Sequence, residues 1–424
     1  MVRKRWPAAA VALLVAAACQ GGTSGGAPPV QIGVVAPFSG PDAQFGKLLS
    51  APCIVASRLI DAAGGIMGAS VSCLSIDDTG DPADAVPNVT RALATSGNLR
   101  MVVGLESQTA ATTIPLVEKA KIPFFTANGL DAFDRTTDRF FWRMTAPDSA
   151  NGVAFALWAS RKGYRRPAIV FENNIGAEGN LPGLQAAMPR LGQTAVIDLT
   201  IPGDAASYSS VVDRVVAARP DVLVFSADPQ TAATFLSQYS QLNGGSLPPM
   251  VTATDSLTPD FFNAVAKAVG VQYVTRSIYL VGSYFDNTTP AFATYARTMS
   301  STPAVKGIAR TILSIGPPAS IYDGINIMAL AMEMAKSTSG PAYDADITRV
   351  VSPRSGAVVV HDFAAGKKAI ESGKSVRYVG VIGPVTFNRY HNFAGEFAAN
   401  MFNPDGTSHQ VGVMSGADVQ SYLG

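Results

Sequence analysis

The chain has 424 residues, of which 47 % are apolar and 15 % are charged, and its formal net charge is +1. This composition can bury a large core, and it excludes a disordered chain and the strongly basic footprint of nucleic-acid-binding domains. The three Cys and three His have no short CxxC or HxxxH spacing, which argues against a Cys/His zinc site. The length predicts two to three domain-sized units.

The first thirty residues are typical of an export signal followed by a tether. Arg3, Lys4 and Arg5 precede an apolar run over residues 8–18, which is too short to span ~30 Å of hydrocarbon as a helix. Cys19 follows directly, as in bacterial lipoprotein signals, so we expect residues 1–18 to be removed and Cys19 to be lipidated. Ordinary signal cleavage, with Cys19 incidental, is the alternative. Residues 19–30 then form a Gly/Ser-rich flexible tether.

Export places the chain in an oxidising compartment, where disulfides persist. Cys53 lies in a predicted helix and Cys73 in the strand after it, so the two side chains could come within disulfide range. We predict a disulfide between Cys53 and Cys73. Two buried free thiols are the alternative.

From residue 30 the pattern alternates between strands and helices. Strands are predicted over 30–38, 69–78, 101–105 and 122–127, and helices over 46–63, 81–96 and 109–120. This alternation predicts a parallel sheet covered on both faces.

A second series of the same kind follows. Helices are predicted over 150–162, 179–190 (interrupted by Pro182), 208–218 and 231–242, and strands over 166–172, 194–201, 221–227 and 249–255. Two α/β units in one exported chain predict two lobes with a cleft between them. Ligands of such sheets bind beyond the carboxyl ends of the strands, which directs attention to the residues just after each strand.

Polar residues after several strands indicate how a small ligand could be held. Ser107 and Gln108 precede a helix, where a hydroxyl and free backbone N–H groups form an anion site; alternatively, Ser107 only caps that helix. Asn128 and Gly129 follow the next strand and could supply further donors. Asp255 ends its strand and could face a ligand ammonium; alternatively, it caps the next helix.

Enzymatic signatures are scarce. The sequence contains no GxSxG elbow, HExxH or GxxxxGK[ST] loop. Asp77, Asp78 and Asp81 form an acidic cluster without the later ligands of an EF-hand, and we interpret it as a strand end followed by a helix cap. Phe45 could wall an apolar ligand or simply pack in the core. The pattern therefore favours binding over catalysis, with no cofactor and no metal.

Eight stretches carry a resemblance to a known family through their order and spacing. They are residues 32–46 (IGVVAPFSGPDAQFG), 61–68 (DAAGGIMG), 76–86 (IDDTGDPADAV), 102–126, 140–148 (FFWRMTAPD), 163–179, 318–335 and 381–395. Together they resemble the branched-chain amino-acid-binding (leucine-binding) family, the periplasmic solute receptors of ABC importers, in its lipoprotein form.

The resemblance implies an α/β fold of two doubly wound, Rossmann-like lobes joined by a three-crossing hinge, the type I periplasmic binding protein fold. The crossings would lie near residues 143–148, 280–284 and 381–387. Lobe 1 would comprise residues 31–145 plus 283–382, and lobe 2 residues 146–282 plus 383–424. A solute bound to one lobe would be enclosed when the hinge closes, and the permease would recognise the closed form.

The resemblance also assigns roles to single residues. Phe45 stands where the family places an aromatic ring against the ligand, Ser107 where a Ser binds the α-carboxylate, and Asp255 where an acidic residue pairs with the α-ammonium. The sequence departs from the amino-acid pattern at Leu130, at Ile175 and at 227–228, which leaves the wall of lobe 2 less aromatic. The ligand-binding set expected is Ser39, Phe45, Ser107, Gln108, Asn128, Gly129, Ile175, Asp228, Asp255 and Tyr322.

The sequence thus predicts a lipid-anchored extracytoplasmic solute-binding protein without enzymatic activity. It would be a monomer in the periplasm or on the outer face of a bacterial membrane, and it would pass an amino acid, amide, urea or aromatic acid to an ABC permease. Nucleic acid is not an expected partner. The alternatives are a ligand sensor of the same fold that acts on a separate receptor or regulator, and an exported enzyme, for which no cleft nucleophile or metal set is found.

Overall fold

The structure of the protein is a computed structural model that describes residues 28–40, 43–284, 287–313 and 316–423. The predicted signal peptide, Cys19 and most of the tether lie outside the described residues. Within the described ranges, no helix is both long enough and apolar enough to cross a membrane.

The strands, in chain order, are β1 Val30–Ala36, β2 Val71–Asp77, β3 Leu99–Gly104, β4 Phe124–Thr126, β5 Phe141–Arg143, β6 Pro167–Glu172, β7 Ile197–Ile201, β8 Val222–Ser226, β9 Met250–Ala253, β10 Ile278–Ser283, β11 Val358–Val360, β12 Val376–Gly380, β13 Gly383–Pro384, β14 Phe397–Phe402 and β15 Ser408–Met414.

The helices are α1 Ala43–Ala62, α2 Pro82–Thr95, α3 Ser107–Lys119, α4 Asp148–Arg161, α5 Ile175–Glu178, α6 Leu181–Arg190, α7 Ser209–Ala218, α8 Pro229–Leu242, α9 Pro259–Val269, α10 Val271–Ser277, α11 Pro290–Ser301, α12 Ala309–Ile312, α13 Gly316–Ala335, α14 Gly340–Val351, α15 Phe363–Glu371 and α16 Gly416–Gln420. Short 3₁₀ turns occupy Asp131–Phe133, Thr254–Ser256 and Lys306–Ile308.

The first sheet has five parallel strands in the order β2-β1-β3-β4-β5. Adjacent residues of β1 pack on opposite faces of the sheet: Val34 belongs to one hydrophobic cluster and Val35 to another. Both faces of this sheet are therefore buried, as the apolar runs predict. The strand β5 was not predicted, because its three residues include Arg143, a charged side chain that is fully buried here.

The second sheet has the order β15-β14-β10-β9-β8-β6-β7. The strands from β7 to β10 are parallel, whereas β14 pairs antiparallel with β10 and β15 antiparallel with β14. The antiparallel edge was not among the predicted strands. The helix predicted over 179–190 corresponds to α6; Pro182 lies in its first turn and does not interrupt it, and the short helix α5 precedes it.

Helix α13 is buried on nearly every side, from Pro318 to Glu333. It packs against α1, α14 and α15, and a small sheet of β11, β12 and β13 lies beside these helices. The chain passes between the two lobes three times: over residues 144–147, after β10, and over residues 385–396. This arrangement is the two-lobed α/β architecture expected, while the residue-level lobe boundaries stay a prediction.

A disulfide joins Cys53 on α1 to Cys73 on β2, with 6.1 Å between their Cα atoms. Strand β2 is the edge strand of the first sheet. The disulfide therefore fixes this edge strand to the helix that covers it.

Candidate functional site

A cavity of about 130 Å³ lies between the two lobes, at the carboxyl ends of strands from both sheets. Of the residues predicted to bind ligand, Ser107, Gly129 and Asp255 line it. A larger groove of about 740 Å³ adjoins the cavity and shares Thr254 and Ser283 with it. A solute can therefore extend beyond the inner cavity.

Asp148, the first residue of α4, follows the first passage directly and lines the cavity. Its backbone N–H donates to the carbonyl oxygen of Gly129 (2.8 Å). A Cβ atom on Gly129 would lie 1.9 Å from Oδ1 of Asp148, and a Cβ on Gly179 would lie 2.6 Å from Oδ2. Only glycines at these two positions leave room for the carboxylate.

Burial raises the pKa of Asp148 from 3.8 to about 7, and repulsion from the carboxylate of Asp255 adds to the effect. The guanidinium of Arg143 acts in the opposite direction. Oδ2 of Asp148 is buried and has no hydrogen-bond partner among the described residues. This oxygen is therefore available to a hydrogen-bonding ligand.

Asp255 lies in the 3₁₀ turn Thr254–Ser256, directly after β9. Its side chain is accessible from the cleft, yet the protein that surrounds it raises its pKa by desolvation. The cap of the following helix α9 is Thr258, whose hydroxyl accepts a hydrogen bond from the N–H of Phe261 (3.2 Å). The alternative interpretation, in which Asp255 caps the next helix, is therefore wrong.

Arg143 is buried behind the cavity and does not line it. Its Nε donates to Oδ1 of Asn392 (2.7 Å) and its Nη1 to the carbonyl oxygen of Leu130 (2.8 Å), while Nη2 pairs with Asp134. Asp134 also accepts from the hydroxyl of Ser149 (2.5 Å). The guanidinium therefore connects β5, the loop after β4 and the third passage.

Helix α3 begins with a carboxylate of the chain itself. Glu106 is the N-cap: its Oε2 accepts from the backbone N–H of Gln108 (2.9 Å) and its Oε1 from the hydroxyl of Thr109 (3.2 Å). Ser107 is the first helical residue, so the interpretation of Ser107 as the cap is wrong. Gln108 is exposed and does not line the cavity, and its N–H is not a free donor for a ligand anion.

Two further predicted residues act beside the cavity without lining it. Asn128 is buried; its Oδ1 accepts from the N–H of Leu130 (3.2 Å) and its Nδ2 donates to the hydroxyl of Thr126. Its side chain therefore shapes the loop that presents Gly129. Ile175 is 46 % exposed, and its neighbour Gly176 lines the cavity instead.

The remaining predicted residues lie elsewhere. Ser39 is exposed and donates to Oδ2 of Asp77 (2.6 Å). Phe45 is 45 % exposed and does not line the cavity; the interpretation that it packs in the core is wrong, and its contact with a ligand stays a prediction. Asp228 is exposed above the second sheet. Tyr322 is buried in the core, with its ring 4.8 Å from that of Tyr295.

Sequence reasoning missed the cavity residues whose buried polar atoms have no partner among the described residues: Thr145, Asp148 and Asn151. The strand-end rule does not reach them, because they lie on the first passage and at the start of α4. Their signal was the matched stretch 140–148, which ends at Asp148. In the described part of the chain, no group of His, Cys, Asp and Glu side chains is arranged to hold a metal ion.

A family model described as periplasmic binding protein matches residues 29–399. The Leu/Ile/Val-binding protein homolog 3 of Brucella melitensis is 27 % identical over 207 residues, which are 46 % of this chain and 54 % of that protein. Leu/Ile/Val-binding protein BraC3 of Rhizobium johnstonii is 27 % identical over 209 residues, with the same two shares. The chain thus spans about half the length of the curated relatives it matches.

Solved structures share the fold over most of the chain. The branched-chain amino acid transporter substrate-binding protein LivJ of Streptococcus pneumoniae, in complex with isoleucine, has a TM-score of 0.69 at 18 % identity and covers 91 % of this chain and 99 % of its own. A solute-binding protein of an ABC transporter from Rhodopseudomonas palustris HaA2, in complex with p-hydroxybenzoic acid, has a TM-score of 0.70 at 17 % identity, covering 92 % and 97 %. The predicted fold class is confirmed.

Proposed function

Because the chain belongs to the periplasmic binding protein family, we propose that it is an extracytoplasmic receptor that captures a small polar solute and delivers it to an ABC importer. The observation that carries this proposal is the cavity between the lobes, whose lining comes from both large sheets and from the passages between them. Such a cavity can bind a solute reversibly through non-covalent contacts alone.

The geometry supports capture by hinge closure. Ser107 and Gly129 present polar atoms from the first lobe, and Asp255 presents a carboxylate from the second. A solute that contacts both sides stabilises the closed arrangement, because its contacts with the second lobe are made only after closure. The three passages are the segments that would absorb the change in backbone angles.

The names of the similar proteins supply two solute classes to test. Relatives are named for leucine, isoleucine and valine, and one structural neighbour holds p-hydroxybenzoic acid. We propose a small polar solute with a donor group for Asp255, an amino acid or a compound of similar size, because a charge-assisted hydrogen bond to that carboxylate would orient it.

We further propose that Cys19 carries a lipid anchor and that the following tether holds the receptor at the membrane. Pro28 and Pro29 are exposed directly before β1, so a tether can leave the folded part without crossing it. The variant Cys19→Ala should appear in the soluble fraction of fractionated cells. Membrane association equal to that of the unchanged protein would argue against lipidation.

The function is tested by a thermal-shift screen of the mature protein against amino acids, amides, urea, amines and aromatic acids. A solute that binds only the native state stabilises it by about 2.7 kcal/mol at a hundredfold excess over Kd. Uptake of the solute that is found should then be lost on deletion of the gene and restored by the unchanged gene. Binding without any effect on uptake would favour the sensor alternative.

A further inference from the structure

The polar atoms that line the cavity indicate the charge of the solute. Thr145 Oγ1, Asp148 Oδ2 and Asn151 Oδ1 are buried, line the cavity and have no hydrogen-bond partner in the described part of the chain. An ionised carboxylate oxygen, as Asp148 has above about pH 7, can only accept hydrogen bonds, and so can an amide oxygen. Buried polar atoms are normally paired, so these atoms point to a ligand that brings hydrogen-bond donors.

The cavity has two carboxylate side chains and no cationic one in its described lining. Asp148 and Asp255 both line it, whereas none of its described lining residues is Lys, Arg or His. Arg143 lies behind it and already donates to an amide, a backbone carbonyl and Asp134. The guanidinium of Arg143 offsets part of the charge of Asp148, and a cationic solute would balance the rest when both cavity carboxylates are ionised.

Two of the donors that a ligand carboxylate could use at the start of α3 already bind a side chain of the protein. At the start of α3 the two oxygens of Glu106 accept from the N–H of Gln108 (2.9 Å) and from the hydroxyl of Thr109 (3.2 Å). A ligand anion here would meet the negative charge of Glu106 beside it. This arrangement disfavours solutes that depend on a carboxylate at the helix terminus.

We propose that the solute of this receptor is a small organic cation, an aliphatic amine or guanidinium compound with a net positive charge, bound by Asp148 and Asp255 through its charged nitrogen. The inference rests on the proposed receptor function and names its substrate class. The oxygen of Asn151 and the hydroxyl of Thr145 take further N–H groups, and the adjoining groove receives the rest of the molecule.

The experiment is isothermal titration of the mature protein at pH 8 with putrescine and agmatine as cationic probes, and with leucine and p-hydroxybenzoate as zwitterionic and anionic probes. We expect binding of at least one cationic probe and none of the other two. The variants Asp148→Asn and Asp255→Asn should each weaken that binding by about tenfold or more. Asp213→Asn, on the exposed side of α7, is the matched control and should bind like the unchanged protein.

The outcomes separate this inference from the receptor function. Binding of leucine or p-hydroxybenzoate without either amine overturns the cationic class and leaves the receptor function intact. If neither amine binds and no solute of the broader screen binds, the result counts against both proposals. If an asparagine variant is unfolded by circular dichroism, the other variant decides, and full amine affinity in a folded Asp255→Asn protein overturns the assignment.

Discussion

The ligand-free protein should lose stability as Asp148 ionises. Its pKa rises from 3.8 to about 7 because burial and the negative charge of Asp255 disfavour the ionised form. A rise of about 3 pH units corresponds to about 4 kcal/mol, since each unit is worth about 1.4 kcal/mol. Because the cleft admits some water, this figure is an upper limit.

The sign follows from which state holds the proton more tightly. The folded protein keeps the proton of Asp148 up to about pH 7, whereas the unfolded chain releases it near 3.8. The free energy of unfolding therefore falls as the pH rises between these two values, and the contribution is constant above the higher one. The groups that act on Asp148 are Asp255, Asp134 and Asp131, which raise its pKa, and Arg143, which lowers it.

The variant Asp148→Asn tests this reasoning, because asparagine has nearly the same shape and does not ionise. Relative to the unchanged protein, it should gain up to about 4 kcal/mol of stability at pH 8 and almost nothing at pH 4. The assay is urea unfolding of the ligand-free protein, followed by tryptophan fluorescence from pH 4 to pH 8.5. The exposed variant Asp213→Asn serves as the control for a lost surface charge.

The comparison uses the difference between the two proteins at each pH, so other titrating groups cancel. A difference that stays constant across the range would refute the argument, because it would show that Asp148 titrates alike in the folded and unfolded states. A gain at pH 4 that disappears at pH 8 would refute it as well.

Three further predictions address other contacts. Gly129→Ala places a methyl group against the carboxylate packed there, so titration should show solute affinity reduced by about tenfold or more, whereas Gly97→Ala, in open space, should bind normally. Cys53→Ser should lower the free energy of unfolding by about 3 kcal/mol in oxidising buffer. If the variant is less stable than the unchanged protein by a similar amount in reducing buffer, the loss does not come from the disulfide. Arg143→Met leaves Asp134 with the hydroxyl of Ser149 but without its cation, and should cost about 3 kcal/mol in urea unfolding; a loss below about 1 kcal/mol would contradict this.

The fold could be predicted because most of its strands coincide with local runs of apolar residues in the sequence. The strands β1 to β4 and β6 to β9 begin and end within a few residues of their predicted bounds. Strand β5 could not be found this way, since its last residue is Arg143, whose buried side chain pairs with Asp134 and donates to Asn392, 249 residues away. Hydrogen bonds between such distant segments leave no periodic signal in a single sequence.

The site could be predicted only where it follows the strand ends. Ser107, Gly129 and Asp255 obey that rule and line the cavity. Asp148 lies at a helix start on the passage between lobes, a place that depends on how two sheets meet. The role of Glu106 was missed for a different reason: Ser is the commoner cap residue, whereas here the longer side chain of the preceding Glu reaches the same donors.

The two cavity carboxylates connect stability with ligand choice. Above about pH 7, where Asp148 ionises, its buried carboxylate is repelled by Asp255 in the empty protein, so the ligand-free state carries an electrostatic cost. A cation removes that cost when it binds, and a neutral or anionic solute of the same size does not. The same cost therefore lowers the stability of the empty receptor and raises its preference for a cation. A substitution of Asp148 that stabilises the empty protein should therefore reduce the difference in affinity between an amine and an uncharged analogue.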